Sequence, residues 1–201
     1  LRCPLTLDGF ERNKCIFVHI PKCAGKSISQ SLFGNQGFAH TNAREYRIIF
    51  GNKFDKIYKF TIVRNPWDRL VSAFYYLKSG GYNKKDKKWY NKHISKYGDF
   101  NEFVREWLNE KNIYRGIHFY PQRYFLCDDG HKLLVDYIGK FEKLDYEFNY
   151  LKNKLNIKSN LQHINSSKRK YKDYRKFYND ETQDIVAKVY DKDIKLFDYN
   201  F

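Results

Sequence analysis

Two short apolar runs, each leading straight into a helix-start signal, constrain this chain more than any other feature. The first is Cys15-Ile16-Phe17-Val18-His19-Ile20, followed by the loop Pro21–Lys26 and a helical stretch from Ser27 to Phe33 that stops at Gly34. The second is Tyr58–Val63, which runs into Asn65-Pro66-Trp67-Asp68. Strand-length runs rich in β-branched and aromatic residues, alternating with helical patterns, are the signature of βα units and a parallel sheet. Asn65 as N-cap with Pro66 at the first helical position fixes the second junction, and Leu70, Ala73, Phe74 and Leu77 then share one apolar stripe.

The remaining elements agree with this pattern. Asn42 and Glu45 stand in capping-box relation before a helix Ala43–Phe50 that stops at Gly51. Asp99 and Glu102 open another helix, with Phe103, Trp107 and Leu108 toward the core. Lys132–Phe141 reads as a third buried strand, with Phe148, Leu151 and Leu155 on the helix behind it. Asp180–Tyr190 reads as a final helix, after which the aromatic tail to Phe201 docks back. Gly80-Gly81 with its lysine-rich sequel, and Asn165–Lys176, read as surface loops. The expectation is a single α/β domain over residues 1–201, with a mainly parallel sheet flanked by helices.

Composition bounds the partners. The 38 Lys and Arg against 23 Asp and Glu leave a formal charge of +15, which calls for an anionic ligand without choosing among nucleotide, acidic polysaccharide, nucleic acid and lipid. The absence of a long apolar run excludes a spanning helix within these residues. Cys3, Cys15, Cys23 and Cys127 form no CxxC pair and no zinc-type spacing, so reduced thiols and no metal are expected. Reduced cysteines and the lack of an anchor here favour a bacterial cytoplasm, a Golgi lumen requiring a removed anchor.

Chemistry concentrates at the two junctions. Pro21-Lys22-Cys23-Ala24-Gly25-Lys26-Ser27 places a tight loop with two lysines before a helix, so that backbone N–H groups and the helix dipole converge on one anion. It is not a Walker A loop, because the first required glycine would fall on Ile20. At the second junction, Arg64 lies at the carboxyl end of a strand, where open α/β sheets bind ligands, and its planar fork suits a phosphate. Ser72 lies off the apolar stripe, on the face of Arg69.

Together the strand–Pro-Lys-x-x-Gly-x-Ser–helix and strand–Arg-Asn-Pro-x-x-Arg-x-x-Ser–helix segments resemble the Golgi-type and bacterial carbohydrate sulfotransferases, which share a P-loop-like α/β fold. The resemblance implies that 3′-phosphoadenosine 5′-phosphosulfate (PAPS) is the sulfuryl donor. It puts Lys22, Cys23, Ala24, Gly25, Lys26 and Ser27 on the 5′-phosphosulfate, with Arg64 and Ser72 on the 3′-phosphate. Lys26 departs from the small residue or Thr usual at its position. The segment His118-Phe119-Tyr120-Pro121-Gln122, with Arg123, resembles one lying near the acceptor, and Asn165–Tyr171 with Tyr174 resembles a loop that closes over the nucleotide. The family habit of a base near this cleft points to His40, just before the Asn42 cap, with His118 as the alternative; Lys22 would steady the leaving phosphate. His93, His131 and His163 read as surface positions, and His19 as a packed histidine.

A glycan or acidic polysaccharide is then the expected acceptor. Two rivals remain: an ATP-dependent P-loop kinase, suggested by Gly25-Lys26-Ser27 and by Leu133-Leu134-Val135-Asp136 as a Walker B strand, and a nucleic-acid-binding module, disfavoured because the aromatic residues fall at core spacing.

Overall fold

Each apolar run becomes a strand and each helix-start signal a helix. The computed structural model describes residues 4–34, 39–162, 164 and 171–201, with side chains from residue 9 onward. Along the chain lie α1 (Pro4–Asn13), β1 (Cys15–Val18), α2 (Gly25–Phe33), α3 (Ala43–Phe50), β2 (Tyr58–Val63), α4 (Pro66–Lys78) and α5 (Lys84–His93). They continue with α6 (Phe100–Trp107), α7 (Gln122–Leu126), β3 (Tyr137–Lys140), α8 (Leu144–Lys154), α9 (Asp180–Val189) and α10 (Asp191–Leu196), joined in places by 3-10 turns. Contacts divide the chain into two units, one from residues 1–64 and 122–166, the other from 65–121 and 167–201.

The first unit is α/β. Its sheet runs β1-β2-β3, parallel throughout, with Phe17 beside Phe60, Val18 beside Thr61 and Val63 beside Lys140. β1 and most of β2 are buried, as continuous apolar runs in a parallel sheet should be. Asn42 and Glu45 complete their capping box at α3. Phe10 of α1 meets the rings of Phe33 and Tyr46 edge-on.

The third strand is shorter than predicted. Only Tyr137–Lys140 of the expected Lys132–Phe141 joins the ladder, and it is half-buried. The preceding residues fold back on α7 instead: Leu133 bridges Cys127 antiparallel, and Leu134 N donates to the Leu126 carbonyl.

The second unit is helical and built from rings. Phe74, Phe100, Phe103, Trp107, Phe119 and Phe177 form the heart of its core. α4 is buried over Pro66–Phe74 and at Leu77, so the single apolar stripe widens to nearly the whole helix. The tail docks as predicted, with Phe201 edge-on to Trp67, Tyr174 and Tyr178. The lysine-rich stretch after Gly81 is a helix rather than a loop. Asn83 caps α5 by accepting from Lys85 N and Asp86 N, and Trp89 anchors it against Trp107 and Phe119.

Candidate active site

Because the three strands are parallel, the residues that leave them emerge at one edge of the sheet. Lys22 follows β1, Arg64 follows β2 and Phe141 follows β3, and the three meet. The Arg64 guanidinium donates to the Lys22 carbonyl at 3.0 Å and stands 4.0 Å from the centre of the Phe141 ring. The ring contact and the hydrogen bond together restrain the fork, and a restrained fork suits bidentate recognition of an oxyanion. Arg64 is only 6 % exposed, so its charge acts in a partly desolvated setting.

Beside it, the loop after β1 takes an unusual course. Lys22 (φ 70°) and Ala24 (φ 56°) are both left-handed although neither is glycine, a strain that persists where the surroundings impose it. The loop delivers the chain into α2, whose N-cap Ala24 has no side chain able to bond the first-turn amides. By contrast α3, α4, α5, α6 and α9 all open on an Asn or Asp that does so. Uncapped first-turn amides are open to an anion, and here they follow a loop that carries Lys22.

Gly25 is required here by proximity rather than by dihedral angle. A Cβ on it would lie 1.8 Å from both Cδ2 and Nε2 of His19. The His19 ring in turn lies 4.4 Å from the His40 ring, centre to centre, and the His19 carbonyl is 3.0 Å from His40 Nδ1. A carbonyl can only accept, so Nδ1 of His40 carries a proton, and in the neutral ring Nε2 then carries the lone pair. The pair of histidines thus brings His40 beside the start of α2. His19 is buried, as expected of a packed histidine, and its ring fills the space that a glycine at position 25 leaves open.

Ser27 is buried on α2, accepting from Ile164 N at 3.1 Å, and Ser31 one turn on accepts from Gln162 N at 2.8 Å. The two hydroxyls hold the chain after α8 along this helix. Lys26 is half-buried on the first turn, and the Cys23 thiol, 1 % exposed, lies 3.4 Å from Gln122 Oε1. Gln122, expected at the acceptor, is instead 0 % exposed and bonded to the backbone of Arg64. Arg123 is half-buried and faces His131.

In the second unit, Ser72 is 2 % exposed on α4, and Arg69 Nη1 donates to the Tyr120 carbonyl, tying α4 to the segment that carries His118. His118 itself packs its ring 5.1 Å from that of Tyr76. Of the expected closing loop, residues 165–170 lie outside the described residues, as does His163; the Tyr174 hydroxyl accepts from Asn65 Nδ2 at 3.2 Å. His93 lies against Trp89, and desolvation, with the charges of Lys92 and Arg115, lowers its pKa.

The kinase alternative loses its second motif. Leu133–Asp136 is not a strand, and Asp136 sits where β3 begins, accepting from Lys59 N and pairing with Lys59 Nζ at 2.9 Å. The loop after β1 and Arg64 lie at the other end of the sheet, where the strands finish. Among the described residues no group of three or more His, Cys, Asp or Glu could hold a metal ion. No described helix is long and apolar enough to cross a membrane.

The sequence profile of the Sulfotransferase family matches residues 7–200. The chain belongs to the sulfotransferase family. A sulfotransferase moves a sulfuryl group from a donor to an acceptor, and the α/β fold with its parallel sheet accords with that membership. An uncharacterised protein of Archaeoglobus fulgidus is 30% identical to this sulfotransferase over 108 residues, which is 54% of this chain and 75% of the other. No solved structure gives a significant match.

Proposed function

We propose that this sulfotransferase takes its sulfuryl group from PAPS and delivers it to a hydroxyl of a carbohydrate, within one catalytic domain. The observation that carries the reading is the uncapped start of α2 beside the Lys22–Arg64–Phe141 meeting point. These residues fit the donor. Amides of the α2 first turn, with Lys22 and Lys26, suit the 5′-phosphosulfate. The stacked Arg64 suits the 3′-phosphate, to which the family resemblance also assigns Ser72. PAPS, when bound, supplies a sulfuryl group on a good leaving phosphate.

The chain's own residues would do the rest. His40 would take the acceptor hydroxyl proton on Nε2, its orientation held by the Nδ1 bond to the His19 carbonyl. As the new O–S bond forms and the S–O bond to the phosphate breaks, the Lys22 ammonium would balance the charge left on that oxygen. The chain's excess of 38 basic over 23 acidic side chains favours an acceptor that is itself acidic, such as a uronic-acid glycan.

Calorimetry with 3′-phosphoadenosine 5′-phosphate (PAP), AMP and ATP tests the donor. PAP should bind far more tightly than either competitor, with or without magnesium. Equal affinities, or ATP binding that requires magnesium, would sink the assignment.

A further inference from the structure

Arg64 poses a structural problem. β2 ends at Val63, whose ladder partner is Lys140, so the buried backbone N–H and C=O of Arg64 lie beyond the last rung of the β2–β3 ladder. A buried peptide group without partners is costly, and a residue whose backbone is not held cannot hold its side chain. The chain answers with a side chain brought from far along the sequence. Gln122 Oε1 accepts from Arg64 N at 2.9 Å while Gln122 Nε2 donates to the Arg64 carbonyl at 2.8 Å. A primary amide here mimics a strand neighbour and adds one more rung. The same Oε1 is also 3.4 Å from the Cys23 thiol, between the two left-handed residues of the anion loop.

From this arrangement we infer that Gln122 is the positioning residue of the donor site: it locks the backbone of Arg64, ties it to the loop through Cys23, and so sets the guanidinium for the 3′-phosphate. The inference rests on the donor reading above. Gln122 touches no substrate in this role and acts through Arg64. Glutamine suits the task because it offers a donor and an acceptor in one plane; Glu offers only acceptors when ionised, and Met offers neither.

The test compares Gln122→Met, which keeps the volume and loses both bonds, with Gln122→Glu, which keeps the acceptor and loses the donor. PAP and AMP affinities are measured by calorimetry in wild type, in both variants, and in Gln122→Met combined with Arg64→Ala. Amide hydrogen exchange at Arg64 is followed alongside. Gln122→Met should weaken PAP by roughly tenfold or more while AMP changes little, with Gln122→Glu between it and wild type. The Arg64 amide should exchange faster in Gln122→Met, and this change should have no further effect on PAP once Arg64 is Ala.

A general structural role would instead weaken both nucleotides alike. That result, or an unchanged PAP preference, overturns the positioning role while leaving the donor reading intact. If Gln122→Met does not fold, Gln122→Glu carries the same comparison. If wild type itself binds PAP and AMP equally, the donor reading fails and the inference falls with it.

Discussion

Replacing Gly25 by Ala is a single-methyl change with a calculable consequence. The new Cβ would lie 1.8 Å from two atoms of the His19 ring, where Cβ contacts under 3.0 Å essentially never occur. The ring or the start of α2 must therefore yield by roughly 1.2 Å, which a close-packed interior resists. The ring cannot simply swing aside, since it is stacked 5.8 Å from Phe17 and packed 4.4 Å from His40. Overpacking of this kind costs about 1–3 kcal/mol, and the movement also displaces the first-turn amides of α2. Gly25→Ala should accordingly lose stability in urea melts and bind PAP more weakly than wild type by calorimetry. The decisive control is His19→Ala, which removes the ring. Combined with Gly25→Ala it should recover much of the loss, giving a coupling of about 1–3 kcal/mol between the two positions. A Gly25→Ala protein as stable as wild type, or a double mutant whose losses simply add, would refute the claim that His19 dictates the glycine.

Three further outcomes are expected. His40→Ala should cut turnover by roughly 10²- to 10⁴-fold with PAP affinity close to wild type, while His118→Ala does less and acts through the acceptor; the reverse order in steady-state kinetics would move the base to His118. Arg64→Ala should erase about 1.5–3 kcal/mol of the preference for PAP over AMP, and calorimetric retention of that preference would remove Arg64 from the 3′-phosphate. Burial pushes the Cys15 thiol from 9.0 up to about 12, so the folded state favours the neutral form; stability from this group is full below pH 9 and is lost as pH rises from there toward 12. At pH 10 the loss is on the order of 1 kcal/mol, and Cys15→Ala should flatten the denaturation profile between about pH 8 and pH 10 by that amount; parallel profiles for mutant and wild type would contradict the shift.

Local signals carried the sequence reading a long way. The two strand–helix junctions, the Asn42–Glu45 box and the Asn65-Pro66 start are written in adjacent residues, and they position Lys22, Gly25 and Arg64. What depended on distant partners was not legible. The lysine run of α5 looks like a solvated loop, yet the Asn83 cap and the packing of half-buried Trp89 against rings from other segments make it a helix. The apolar run before β3 looks like more strand, yet Leu133 and Leu134 pair with the end of α7. At the site, Phe141 was legible only as the end of the third strand, and Gln122 resembled an acceptor contact because nothing local reveals that its amide faces the backbone of Arg64, 58 residues earlier. Register places these residues; periodicity cannot.

The most direct test of the central claim is transfer itself: incubate the protein with PAPS carrying a labelled sulfuryl group and a panel of neutral and acidic glycans, and measure label in the glycan. The expected result is label in an acidic glycan without added metal, lost in Lys22→Ala and suppressed as salt screens the basic surface. Label that enters no hydroxyl acceptor, alongside magnesium-dependent transfer of the terminal phosphate from ATP, would contradict it.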